Sequence, residues 1–174
     1  MKRAQLSKAS QLAIFRRDEW LCHWCRKPVI FAPVMKLMEL EVRTAGHTGP
    51  LAYYHAHWTR ATSPLLDELG AMLDHVTAFA IGGTCSEENI VTACAKCNSC
   101  KSSYTVEEWK TRLFRRTIKG KYGEPKVWDG LSSMFLILAE RHPSKLSTAD
   151  REWVRAMKRP SPQKPGVNLD ADNR

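Results

Sequence analysis

Two C-x-x-C pairs, Cys22 with Cys25 and Cys94 with Cys97, constrain this chain more than any other feature of it. A C-x-x-C in a tight turn aims two thiolates at one point, and four thiolates complete the shell of one tetrahedral zinc ion. Cys94 lies 69 positions after Cys25, an interval beyond that of a compact ribbon, so the ion is expected to clip distant segments together. Four sulfurs leave no open position for water or substrate, which makes the expected role structural. Arg26 and Lys27, just beyond the first pair, favour the thiolate form. Cys85 and Cys100 are left over and read as small buried hydrophobes, with Cys100 a minor alternative ligand. Trp20 and Trp24, around the first pair, read as local core of a small knuckle.

A length of 174 residues suits one domain with a real core. No run approaches the length of a membrane span, and the first residues lead into mixed polar sequence rather than a signal-like apolar stretch. The expectation is a soluble cytoplasmic protein, bacterial or phage-encoded, in which cysteines serve as ligands or thiols rather than disulfides. The net charge of +9 is unevenly spread: residues 1–36 carry +6, residues 37–89 carry −5 and residues 90–174 carry +8. Basic ends around an acidic middle suit a polyanion crossing the surface while a divalent cation sits among the acids.

Along the chain, residues 7–18 read as a helix with Leu12, Ile14 and Phe15 on its apolar side and Ser7 or Ser10 as cap. Residues 34–43 fit a strand or a helix equally. His55 and His57 share a face of any strand there and form a weak second ligand candidate, with Arg60 a phosphate contact on charge alone. LLDELG reads as a helical turn. Ala71–Leu73 then reads as a strand that delivers Asp74 and His75 at its end, Gly82-Gly83 as a turn, and Ile90–Thr92 as a second, β-branched strand. Cys97-Asn98 opens a helix on which Asn98 and Lys101, three residues apart, share a face. Further on, Thr105 and Glu108 form a capping box for a basic helix with Val106, Trp109 and Leu113 inward. A helix from about 128 holds Met134, Phe135, Ile137 and Leu138, too apolar to be left in water, and a last helix begins at Ser147 or Thr148 with Trp153 and Val154 inward. The core is expected over about 12–33 and 69–118, an insertion over 34–68, C-terminal helices over 128–158 within a single domain 1–159, and a disordered tail over 160–174.

The D-H-V, G-G, N-I-V and C-x-x-C-N-x-x-K elements together resemble the HNH nuclease family, also described as the His-Me finger or ββα-metal fold. The upstream F-R-R-D-E-W-L-C-H-W-C resembles the first zinc knuckle of its four-cysteine members. The resemblance covers roughly residues 12–33 and 69–103. It implies an α+β fold with a zinc-clipped ββα core and added N- and C-terminal helices. It further implies a DNA endonuclease with structural Zn²⁺ and a catalytic Mg²⁺ or Mn²⁺. His75 would be the general base, facing solvent, and Asp74 and Asn98 would hold the hard cation through oxygen. Asn89 would brace the loop through backbone hydrogen bonds and so fix how His75 points. The family's third named position is often His, and here it is Asn98. Lys101, Arg115, Arg116 and Lys119 are the expected nucleic-acid contacts, positioning the backbone without reading sequence. RNA is a possible substrate, and the chain is expected as a monomer or homodimer. The alternative is a zinc-stabilised nucleic-acid-binding subunit of a larger complex that does not cut.

Overall fold

The computed structural model describes residues 6–48, 64–115 and 128–160. Its centre is an antiparallel hairpin. Strand β1 (Ala71–His75) pairs with β2 (Ile90–Cys94), in a register from Ala71 opposite Cys94 to His75 opposite Ile90. All five residues of β2 are buried, which suits its β-branched start. The chain passes straight from β2 into helix α4 (Ala95–Lys101), with Cys94 as cap. The Cys94 sulfur accepts the Cys97 N–H at 3.3 Å, so one residue ends the strand, caps the helix and faces the sulfur cluster. The ββα unit is the expected one, although its helix opens two residues earlier than Cys97.

Helix α1 (Lys8–Arg17) begins at Ser7, whose hydroxyl accepts the Ser10 N–H, and buries Leu12, Ile14 and Phe15. It lies against β2, and the carboxylate of Asp18, just past its end, accepts the Thr92 N–H at 2.7 Å. Glu19 and Trp20 take positive φ (56° each) and turn the chain sharply into the knuckle. The knuckle is closed by a bridge between Leu21 and Pro28, and by Cys22 N–H to the Lys27 carbonyl at 2.9 Å. A further short pairing joins Ile30 to Gly70: Ile30 N–H donates to Leu69 O at 2.9 Å and Ala71 N–H to Ile30 O at 2.8 Å.

Between these two points the chain makes an excursion. Residues 34–43, open to either reading, lie in helix α2 (Ala32–Thr44), which has Pro33 in its first turn. LLDELG falls within α3 (Pro64–Leu69) and its end. Beyond α4, the box of Thr105 and Glu108 caps α5 (Val106–Arg115), with Trp109 buried beneath it. Helix α6 (Ser132–Arg141) packs on α2, and α7 (Thr148–Lys158) packs on α1 behind a capping box of Ser147 and Asp150. Among the described residues the molecule is thus α+β: seven α-helices around one two-stranded sheet.

A chain of aromatic rings binds these layers. Trp20 stacks on Phe15 with centroids 5.0 Å apart, and Phe31 meets Phe135 and Trp153 edge-on at 5.1 and 5.0 Å. Gly130 permits the approach. Its φ is +67°, Phe31 N–H donates to its carbonyl, and a Cβ there would run into the Trp20 ring. One expectation for α6 is corrected. Phe135 and Leu138 are buried, but Met134 and Ile137 are 41% and 50% exposed, because the helix buries one stripe only, toward α2 and α7.

His55, His57, Trp58, Arg60, Arg116, Lys119 and the stretch 161–174 lie outside the described residues. No helix among the described residues is long and apolar enough to cross a membrane.

Candidate metal centre and nuclease site

The four predicted ligands come together. The sulfurs of Cys22, Cys25, Cys94 and Cys97 all lie within 4.8 Å of one another. Cys25 and Cys94 are 3.9 Å apart, close to the edge of about 3.8 Å implied by tetrahedral Zn–S bonds of about 2.3 Å. Backbone pairing brings them there: His23 N–H donates to the Thr92 carbonyl at 2.8 Å, docking the knuckle on β2 two residues before Cys94. The four thiols hold their protons unequally. Contacts with Cys25 first, then with Cys94 and Cys97, pull the Cys22 thiol far below the ordinary range. Cys25 is raised by Cys22 but lowered more by Cys94 and Cys97, and ends low. Cys22 and then Cys25 push Cys94 and Cys97 far up. Packed this closely, the four cannot all ionise unless a cation shares their charge, and a soft divalent ion fits that donor set.

Arg26 and Lys27 also shape the knuckle in other ways. Arg26 supplies a positive-φ turn residue, and Lys27 pairs with Glu68 at 2.6 Å. A cleft of about 160 Å³ opens beside the sulfurs, lined by Cys25, Lys27, Glu68, Cys94, Lys96 and Trp109 among others. Neither Asp74 nor His75 lines it, so it belongs to the sulfur-cluster side of the fold.

At the far end of β1, Asp74 and His75 are 6% exposed each. The Asp74 carboxylate is built in from two directions. Its Oδ2 accepts the indole N–H of Trp24 at 2.7 Å and lies 3.6 Å from the Lys101 ammonium. Burial raises the Asp74 carboxyl above the usual range; Lys101 and then Trp24 pull the other way without cancelling it. Lys101 also donates to the His75 carbonyl at 2.6 Å, and its Nζ lies 5.3 Å from the centre of the Trp24 ring. Lys101 is therefore no phosphate contact in this structure: it is fully buried beneath the hairpin, and its charge is spent inside the fold. Its helical neighbour Asn98 is half-buried, one turn earlier on the same face.

Asn89 makes the bonds expected of a brace. Its Oδ1 accepts the Thr77 N–H at 2.8 Å, and its Nδ2 donates to the carbonyls of Thr77 at 3.0 Å and Thr84 at 2.8 Å. With Val76 N–H donating to its own carbonyl, one side chain and one backbone unit tie both arms of the loop between the strands. Two glycines make that loop possible. Gly82 has φ +94°, and a Cβ on Gly83 would collide with the Thr77 carbonyl.

His75 departs from the expectation of an imidazole facing solvent. The loop folds back over the strand end, placing the Cys85 sulfur 3.6 Å from Nε2 and the Phe79 ring edge-on at 6.4 Å. Cys85 is consequently a half-buried neighbour of the histidine, whereas Cys100, half-buried against the core as expected, also forms a wall of the sulfur cleft. Spacing could not have found Cys85, because its place depends on how the loop closes. Trp24 did carry a signal: an indole inside a C-x-x-C has an N–H that must find a partner once buried. Arg115 ends α5, and its side chain, like Arg116 and Lys119, lies outside the described contacts.

Residues 63–103 match the family model described as HNH endonuclease. That segment runs from just before α3 through β1, the braced loop, β2 and α4. No curated protein and no solved structure matches the chain. The match covers the strand end, the Asn89 brace and the second cysteine pair, and the first pair completes a four-cysteine cluster beside it, so this segment of the chain is similar to the HNH endonuclease family.

Proposed function

We propose that the protein is a metal-dependent endonuclease that hydrolyses phosphodiester bonds in DNA. The observation that carries this reading is the Asp74–His75 pair at a strand end, held by the Asn89 brace within the HNH match. His75 takes the role of general base, removing a proton from the attacking water, a task for which an imidazole has the right chemistry. Asp74 and Asn98 supply a carboxylate and an amide oxygen, donors that suit Mg²⁺ or Mn²⁺ better than zinc. The Asn98 side chain has no hydrogen bond among the described residues, which leaves its oxygen available. When bound, such an ion neutralises charge on the phosphoryl group and on the leaving oxygen. Asn89 keeps the loop, and with it the imidazole, from turning away. Arg115, Arg116 and Lys119 carry the charge proposed to meet the nucleic-acid backbone. The four-cysteine site is proposed to hold a structural Zn²⁺.

A second reading draws on two observations. His75 is only 6% exposed, and Lys101 already stands beside Asp74 as its counter-ion. Both suit a module that binds nucleic acid within a larger complex without cutting it. Purified protein on supercoiled plasmid, with Mg²⁺, Mn²⁺ or EDTA, separates the two. The nuclease predicts nicks that need the metal and fall about 10²- to 10⁴-fold in His75→Ala with zinc content unchanged. Retention of DNA without any metal-dependent cut favours the module. A parallel arm with RNA decides the substrate class.

A further inference from the structure

We propose that Trp24 is a positioning residue for the Asp74 carboxylate, linking the state of the zinc knuckle to the binding of the catalytic cation; this rests on the nuclease reading above. Trp24 lies between Cys22 and Cys25, so one ion held by those two sulfurs would fix its backbone on both sides. Its ring is held as well: His23 meets it edge-on at 4.7 Å and Lys101 lies over it at 5.3 Å. An indole has one donor and no acceptor, so its bond to Asp74 can form in one sense only. That bond is short (2.7 Å), buried at both ends, and spans 50 residues of sequence.

Oδ2 is engaged by the Trp24 N–H and faces the Lys101 ammonium, and the carboxylate also takes a backbone hydrogen bond from His75. Trp24 thus helps to set the carboxylate plane before any cation arrives. Without zinc the sulfurs no longer fix the residues on either side of Trp24, and the indole holds the Asp74 carboxylate less firmly. A ring that served only as core would be replaced by phenylalanine with little consequence for the cation. Residues that orient a metal ligand from behind ordinarily change affinity or activity about 10- to 100-fold when altered.

The test uses zinc-loaded full-length protein and the variants Trp24→Phe and Asp74→Asn. Trp24→Phe is expected to keep one zinc per chain while its half-saturating Mn²⁺ for cleavage rises about tenfold or more. In the Asp74→Asn background the same change is expected to add nothing. Wild-type Mn²⁺ dependence in a zinc-loaded Trp24→Phe protein would overturn the proposal. A readout on the unaltered chain covers a variant that does not fold: Mg²⁺ is expected to shift the Trp24 indole N–H resonance, saturating with the same constant as cleavage, and an unmoved resonance overturns it. If the wild-type protein does not cut, the nuclease reading fails separately, and direct Mn²⁺ binding decides the positioning claim. Weaker binding in Trp24→Phe upholds it, and equal or no binding by both proteins ends it.

Discussion

Asp18 does more for the architecture than its position past the end of a helix suggests. Its carboxylate takes the N–H of Thr92, a residue with no exposure in the middle of β2, and pairs with Arg17 at 2.8 Å. Asp18→Ala would leave that amide buried and unpaired, and is expected to cost about 1–3 kcal/mol in urea melts. Burial works to raise the Asp18 carboxyl, but Arg17 and Thr92 together outweigh it, so the group stays below the usual aspartate range. A carboxyl with a depressed folded-state pKa stabilises fully above its unfolded value of about 3.9, and that part is lost as pH falls through the folded value. Stability of the wild-type chain should therefore drop below about pH 4 more steeply than that of Asp18→Asn, when melts of both are compared across pH.

At the scale of elements, α6 and α7 depend on how closely the chain before α6 approaches Trp20. Gly130→Ala would force a methyl into the indole at a backbone conformation alanine dislikes, and is expected to destabilise by about 2–4 kcal/mol. Near-ultraviolet circular dichroism should show the tryptophan environment changing before helix content falls. The elements themselves were largely legible from sequence. Ile90, Val91 and Thr92 mark a strand by their branching, and the caps at Ser7, Thr105 and Ser147 fall at true helix starts. Residues 34–43 were not legible, since their apolar residues suit both periods and only packing on α6 decides. Spacing placed Asn98 and Lys101 on one face without saying that the face turns inward, so a lysine expected at the surface sits at zero exposure. Likewise the C-x-x-C pairs announced their sulfurs, but not that the tryptophan between two of them reaches Asp74. Spacing along a chain fixes neighbours within an element, whereas partners 50 residues apart depend on the register of whole layers.

For the molecule as a whole, the sulfur cluster is where the knuckle meets the hairpin. Among the described residues no other group of His, Cys, Asp and Glu side chains gathers as a metal site does. Removing the ion with a strong zinc chelator is expected to release about one zinc per chain and to lower the melting temperature by about 10 °C or more, since binding energy at such sites is also folding energy. Readdition of zinc should restore the melt, whereas Mg²⁺ should not. Scanning calorimetry with metal analysis on the same samples checks this, and an unchanged melt in zinc-free protein would refute the structural role.

The short pairing of Ile30 with Gly70 has a consequence of another kind. Because departure and return meet at one spot, the chain leaves the hairpin after Ile30 and rejoins it at Gly70. Extra length placed between the end of α2 and the start of α3 is therefore expected to leave the sulfurs and the hairpin in place, since each doubling of such a loop costs only about 0.6 kcal/mol. The hairpin with its sulfurs would then act as a socket, keeping its form while the segment plugged into it is exchanged.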